Sequence, residues 1–388
     1  MKDSFRIGRF SGVTVGANWS ILALAGIVAY FLATSRLPAD IPGYSKDAYW
    51  LAGVLTSLVL LAGVLLHELA HAVTARRAHL RVEGITLWFM GGVTRIEGES
   101  VKPSVELSVA LVGPLTSALL GAVSAGLSVP VAHAGWALAA ESLRWLALMN
   151  LLLAAFNLLP ASPLDGGKVL HGMVWGLTHN RWLATRLTAG AGIGLGALCA
   201  GFGLIVFGQG DEPDGLFLML MAWFLVSSAK REEMAGRAQH VLGDVHVSDI
   251  MRPAVIAPGW LTVAAFWGQW VTRYPEAAFV LERWGGEGLA GVVTAQQLAA
   301  VPPALQGSVR AQDVAFPPPP VSQIALRPND PALAIAGRGG MALPVHEGEA
   351  VVGAVLASDI AAMVARGTPV EARTWASFRP SPSPSWPM

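Results

Sequence analysis

Apolar residues run in long, nearly unbroken stretches through the first two thirds of the chain. A helix needs about 20 residues to cross a bilayer. Six stretches approach or exceed that length: Trp19–Ala33, Trp50–Ala75, Val105–Val131, Trp136–Leu159, Leu183–Phe207 and Leu216–Ser228, of which the first and last are short. The pattern changes between the second and third. Residues 82–97 are rich in strand formers and broken by the pair Gly91-Gly92, which predicts a β-hairpin. The amphipathic start, Phe5 to Gly16, offers a further strand. An open strand edge near lipid must be shielded by protein or line a cavity. The first apolar run begins near Asn18 and is too long for a signal-peptide core, so it is read as a span and no cleavable leader is expected.

After Arg231 the pattern becomes that of a soluble α/β region, in two weakly similar blocks. One opens at Val247-Ser248-Asp249-Ile250-Met251 and closes near Gly291–Leu298; the other closes at Gly353–Ile360. Pro317 to Pro320 mark the joint, and the tail 367–388, Pro/Ser-rich from Arg373, is expected to be disordered. The expected organisation is a membrane domain over 1–232 and a paired domain over 241–366, with halves at about 241–302 and 308–366.

Composition supports this division. Hydrophobic residues make up 53% of the chain and charged ones 13%, against about 25% charged in soluble domains. A net charge of zero argues against a nucleic-acid partner, which calls for a basic face. The single cysteine, Cys199, excludes an internal disulfide and reads as a small buried hydrophobe. Basic residues gather at Lys2, Arg6 and Arg9, at Arg76–Lys102, at Lys168–Arg186 and at Lys230–Arg237, while Asp211-Glu212-Pro213-Asp214 is acidic. The positive-inside rule then predicts a multi-pass protein of the cell membrane with both termini cytoplasmic, in keeping with an even number of spans.

The candidate chemistry lies inside the second apolar stretch, at His67-Glu68-Leu69-Ala70-His71. Helical positions four apart share a face. Two imidazoles there can hold one zinc ion, and Glu68 can act as general base toward water. A charged residue inside a span costs on the order of 2.5–3.5 kcal/mol, so this cluster in a Leu/Val helix asks for a compensating function. A hydrogen-bonded polar patch between helices is the plainer reading. Catalytic zinc also needs a third protein ligand. Asp165 offers one, in Pro160-Ala161-Ser162-Pro163-Leu164-Asp165-Gly166-Gly167 after the fourth stretch. The prolines there break the helix and the glycine pair permits unusual backbone angles. The alternative for Asp165 is to cap the helix that begins near Lys168. Glu106, Glu141 and Arg144 read as interfacial or paired. His133, His171 and His179 have no ligand spacing and are read mostly as loop residues.

With Gly113-Pro114 in the third stretch and Phe156-Asn157-Leu158-Leu159 before the prolines, these segments resemble, in order and setting, the site-2 protease family of intramembrane zinc metalloproteases. The resemblance implies a polytopic α-helical membrane fold with a small membrane-associated β-sheet that holds substrate in extended form. It implies that His67, His71 and Asp165 ligate one zinc ion and that Glu68 is the general base. It also implies that Asn157 helps stabilise the oxyanion, and that the substrates are single-span or membrane-anchored proteins met within the lipid.

The two C-terminal blocks resemble a cytosolic pair of α/β CBS domains, which often binds adenine nucleotides. The family motif places a hydroxyl and a carboxylate after a glycine. The first half has Gly291 and Thr294 but Gln297 at the acidic position; the second has Gly353 and Asp359 but Leu356 at the hydroxyl position. Thr294 is the candidate phosphate contact and Asp359 the candidate ribose contact, beside a purely structural role as a homodimer interface. A different class of function, a transporter or channel gated by the paired domain with the His/Glu/Asp cluster as ion path, predicts ion flux and no need for Glu68.

Overall fold

The fold is given by a computed structural model. It describes residues 4–10, 12–89, 91–97, 102–210, 212–243, 245–285, 289–317, 326, 332–335, 342–347 and 350–367. The chain forms two compact units, Met1–Glu233 and Met234–Met388. Pro318 to Pro320 and residues 368–388, hence the expected disordered tail beyond Gly367, lie outside the described residues.

The first unit contains strands β1 (Phe5–Phe10) and β2 (Val13–Ala17), then helices α1 (Ser20–Asp40) and α2 (Lys46–Arg77). Strands β3 (Arg81–Trp88) and β4 (Gly91–Glu97) follow, and then α3 (Pro103–His133), α4 (Ala137–Asn157), α5 (Asp165–Thr178), α6 (Arg181–Gly208) and α7 (Glu212–Leu242), whose residues from Met234 on belong to the second unit. Helices α1, α2, α3, α4 and α6 are long and apolar enough to cross a membrane. That is five among the described residues rather than the six expected. The sixth stretch, Leu216–Ser228, does lie in a helix, but α7 carries Asp214 before it and Lys230, Arg231, Glu232 and Glu233 directly after it. By length and composition α7 is therefore not among the five. In α1 the helix outlasts the apolar run by a π-turn at Leu32–Arg36 and closes with an Arg36–Asp40 ion pair of 2.7 Å.

The predicted hairpin joins one four-stranded sheet, ordered β1-β2-β3-β4, to which the N-terminal segment gives two antiparallel strands rather than the one expected. β2 and β3 run parallel, with Val15 opposite Ile85, because α1 and α2 carry the chain back across between them; parallel neighbours need such a crossover. Val13, Val15, Ala17, Ile85 and Leu87 point into a core shared with Ile21 of α1 and Ala72 of α2. The sheet is thereby fastened to the face of α2 that carries the motif. The helices close on one another through small residues, as membrane helices do. A Cβ at Gly53 of α2 would stand 2.7 Å from the Ala29 carbonyl of α1.

The second unit is a five-stranded sheet, ordered β7 (Leu289–Thr294), β6 (Ala278–Glu282), β5 (Arg252–Pro258), β9 (Ala350–Leu356), β8 (Ala342–Glu347). β5 and β6 are parallel and the other pairs antiparallel. Two hairpins, β6-β7 and β8-β9, each run into a helix: α8 (Ala295–Ala299) after the first and α9 (Ala357–Arg366) after the second.

Candidate metal centre

Helix α2 starts at Ser45, whose hydroxyl accepts from Ala48 N at 3.2 Å, and ends in Arg76 and Arg77, where cations meet the free carbonyls. Its 3.6-residue period puts His67 one turn before His71. The two Nε2 atoms are 3.1 Å apart. Asp165 Oδ2 stands 3.2 Å from each, and all three residues are buried. The polar patch of the plainer reading would have left these side chains to separate neighbours. Instead, they converge.

Helix α3 orients both rings. Ser117 Oγ lies 2.9 Å from His67 Nδ1, and Val109 O lies 2.6 Å from His71 Nδ1. A carbonyl only accepts, so His71 carries its proton on Nδ1 and turns the Nε2 lone pair inward, the tautomer a metal ligand needs. Gly113 of α3 is the floor of the site. A Cβ there would be 2.2 Å from His71 Nε2 and 2.7 Å from His67 Nε2.

Asp165 is delivered by the break after α4. It is the first residue of α5, and the preceding residue, Leu164, makes no side-chain cap. The capping alternative therefore fails, and the carboxylate turns to the imidazoles. The glycine pair works otherwise than expected. Neither Gly166 nor Gly167 has positive φ; each instead lets α5 fold back onto the chain it has just left. A Cβ at Gly166 would be 2.3 Å from Leu158 O, and one at Gly167 2.7 Å from Ala161 O. The turn is also gripped from outside. Ser162 N donates to Thr188 O of α6 at 3.2 Å, and Ser162 Oγ donates to the Glu232 carboxylate of α7.

The donor set fits zinc. Two imidazole nitrogens and a carboxylate oxygen are borderline ligands suited to that ion. Tetrahedral bonds of about 2.0–2.2 Å put donor atoms roughly 3.3–3.6 Å apart, close to the 3.1 and 3.2 Å found here. Among the described residues this is the one group of three such side chains able to share an ion.

Glu68 lies next to the cluster against β4. Its Oε2 accepts from Thr94 Oγ1 at 2.7 Å, and a Cβ on Gly92 would come within 2.3 Å of Glu68 Cγ. Asn157 is the last residue of α4, and its amide donates to Leu153 O of the same helix at 3.0 Å. In the second unit Thr294 is buried as the cap of α8, its hydroxyl accepting from Gln297 N at 3.4 Å and donating to Gln297 Oε1 at 3.1 Å. Asp359 is held by both nitrogens of one edge of the Arg252 guanidinium, at 2.7 and 3.0 Å.

Glu141 pairs with Arg144 at 3.1 Å, as expected of an interfacial pair. The loop reading holds for His179 and needs correction for His133 and His171. His133 ends α3, His179 caps α5 with φ +55°, and His171 sits in α5 with Nδ1 2.9 Å from Glu106 Oε1. Ser117, Thr94 and Glu232 escaped the sequence reading, since each meets the site through a contact between elements and none has motif spacing.

The chain is similar to several known proteins. The model of peptidase family M50 matches residues 55–135 and 131–200. Rip3 of Mycobacterium tuberculosis, named as a zinc metalloprotease, is 36% identical over 372 residues, covering 94% of this chain and 93% of its own. The protein sll0528 of Synechocystis, named likewise, is 29% identical over 306 residues, covering 78% of this chain and 79% of its own. The solved site-2 protease of Methanocaldococcus jannaschii covers 59% of this chain and 94% of its own, at 22% identity and a TM-score of 0.40. Similarity to Rip3 over nearly the whole of both chains, joined to a buried cluster of two histidines and an aspartate able to hold a metal ion, makes this chain a member of peptidase family M50, the site-2 proteases: a multi-pass membrane zinc metalloendopeptidase.

Proposed function

We propose that the chain cleaves single-span or membrane-anchored proteins within the bilayer, with His67, His71 and Asp165 holding one zinc ion and Glu68 as general base. The observation that carries this reading is the convergence of three buried donors, two of them on a helix apolar enough to cross the membrane, beside one acid. Zinc bound there supplies a Lewis acid and a water-derived nucleophile near neutral pH. Glu68 takes the proton of the attacking water and passes it to the leaving amine. Asn157 supplies an amide N–H to the developing oxyanion, which requires it to turn from Leu153 O. A helical substrate hides its carbonyls in internal hydrogen bonds and must unwind to be cut. β4 ends the sheet order, and strand addition along it restores the lost backbone bonds.

We read the second unit as the CBS pair, on the repeat of hairpin and helix in β6-β7-α8 and β8-β9-α9, with homodimerisation and regulation by an adenine nucleotide as its roles. Thr294 and Asp359 can meet a nucleotide only by releasing Gln297 and Arg252. Titration of the purified chain with ATP and AMP by calorimetry tests this, and silence with both removes the nucleotide role. The basic residues around both ends of the first unit support cytoplasmic termini, a reading that takes α7 as a sixth crossing beside the five membrane-length helices.

The deciding experiment compares wild type with Glu68→Gln, both loaded with zinc, on single-span substrates in vesicles. We expect full zinc in both and a fall in rate of about 10²–10⁴-fold in the variant, the usual worth of a general base. Equal cutting by the two would remove Glu68 from the mechanism.

A further inference from the structure

A glutamate side chain turns about three bonds, so a base on the surface of a helix is poorly aimed unless something holds its carboxylate. Here the holding element is β4. Thr94 Oγ1 is 2.7 Å from Glu68 Oε2 and 3.2 Å from Glu68 O, so one hydroxyl meets both ends of the residue. The shorter contact is the stronger, since its acceptor is charged. Two positions earlier, Gly92 lies so close that a Cβ would overlap Glu68 Cγ at 2.3 Å. Positions two apart share one face of a strand. Gly92 and Thr94 therefore form a single surface, bare at one position and hydroxyl-bearing at the next, pressed on the Glu68 side chain. The surface is firmly based: β4 is paired along its length with β3, Thr94 opposite the fully buried Ile85.

We propose that Thr94 is a positioning residue for the hydrolytic reaction: its hydroxyl holds Glu68 Oε2, fixes the carboxylate in one rotamer, and leaves Oε1 to receive the proton of water. Gly92 provides the room in which that rotamer fits. The inference rests on the reading of Glu68 as general base. It also means that the sheet that receives substrate in that reading is the sheet that aims the base.

The test uses the full-length zinc-loaded chain and a fluorogenic single-span peptide that wild type cuts. In Thr94→Val, which keeps the β-branched shape and loses the hydroxyl, kcat falls by about tenfold or more, the usual effect of removing an outer partner of this kind. KM and zinc content stay unchanged, and Thr94→Ser restores most of the rate. A readout independent of turnover comes from infrared spectra of chain labelled with ¹³C in its glutamate carboxylates. The difference between wild type and Glu68→Gln isolates the Glu68 band. That band moves in Thr94→Val and returns in Thr94→Ser. A band unmoved in Thr94→Val, or a Thr94→Val enzyme with full kcat, overturns the proposal. If Glu68→Gln itself cuts the peptide normally, the base assignment fails instead, and the infrared result then reports only whether the hydrogen bond exists.

Discussion

In the proposed zinc site, each histidine has an atom behind it that determines where it points. Ser117 and Val109 take the Nδ1 atoms of the two histidines, which leaves Nε2 of each for the ion. Ser117→Ala should therefore weaken zinc binding by about 10–100-fold while the ligands stay in place, as competition with a chelator will measure. Gly113 makes a harsher case. A methyl group there would lie 2.2 Å from His71 Nε2, inside the space the ion needs. Gly113→Ala should purify as a membrane protein with little zinc, whereas full metal content would show that α3 can retreat. His67→Ala should also lose the ion by metal analysis, because two donors are too few for a stable site.

At the level of elements, the site joins an unbroken helix to a broken one, and the break is held from outside. The turn that presents Asp165 hangs on Thr188 of α6 and Glu232 of α7 through the single residue Ser162. Glu232→Ala and Ser162→Ala should each lower zinc affinity by a similar factor, and together by little more than either alone. Residues sharing one contact couple in a double-mutant cycle; additive losses would mean that the two side chains act separately. α6 reaches the turn only because Gly192 lacks a side chain, since a Cβ there would overlap Ser162 O at 2.0 Å.

Over the whole molecule, the two units rest on different physics. The first exposes Leu51, Leu55 and Leu58 of α2 and Leu115 and Leu119 of α3 to its surroundings, a surface stable only against lipid. The second buries Val247, Ile250, Leu343, Val355 and Ile360 in a water-excluded core of its own. In that unit Arg252 of β5 and Asp359 of α9 form a two-bond ion pair, both partly buried. Arg252→Ala should cost about 1–2 kcal/mol of local stability, between the values for an exposed pair and for a charged hydrogen bond. Hydrogen exchange over α9 will read it, and unchanged protection would reduce the pair to a surface contact.

Much of this was legible in the residues. The period of apolar stretches located the five membrane-length helices, and the strand-forming run with its glycine pair located β3 and β4. The spacing of His67 and His71 is itself a statement about one helical face, because 3.6 residues per turn requires it. Leu216–Ser228 lies in a helix but outside those five, since a run of apolar residues does not by itself say which charged neighbours share its helix. What only the tertiary structure decided is everything that acts between elements. That Asp165 reaches the histidines 94 and 98 positions away, that Gly166 and Gly167 serve close packing instead of unusual angles, and that Thr94 grips Glu68 all depend on distances across separate segments. Local spacing encodes which face a side chain takes. It carries no record of what the folded chain will bring to that face.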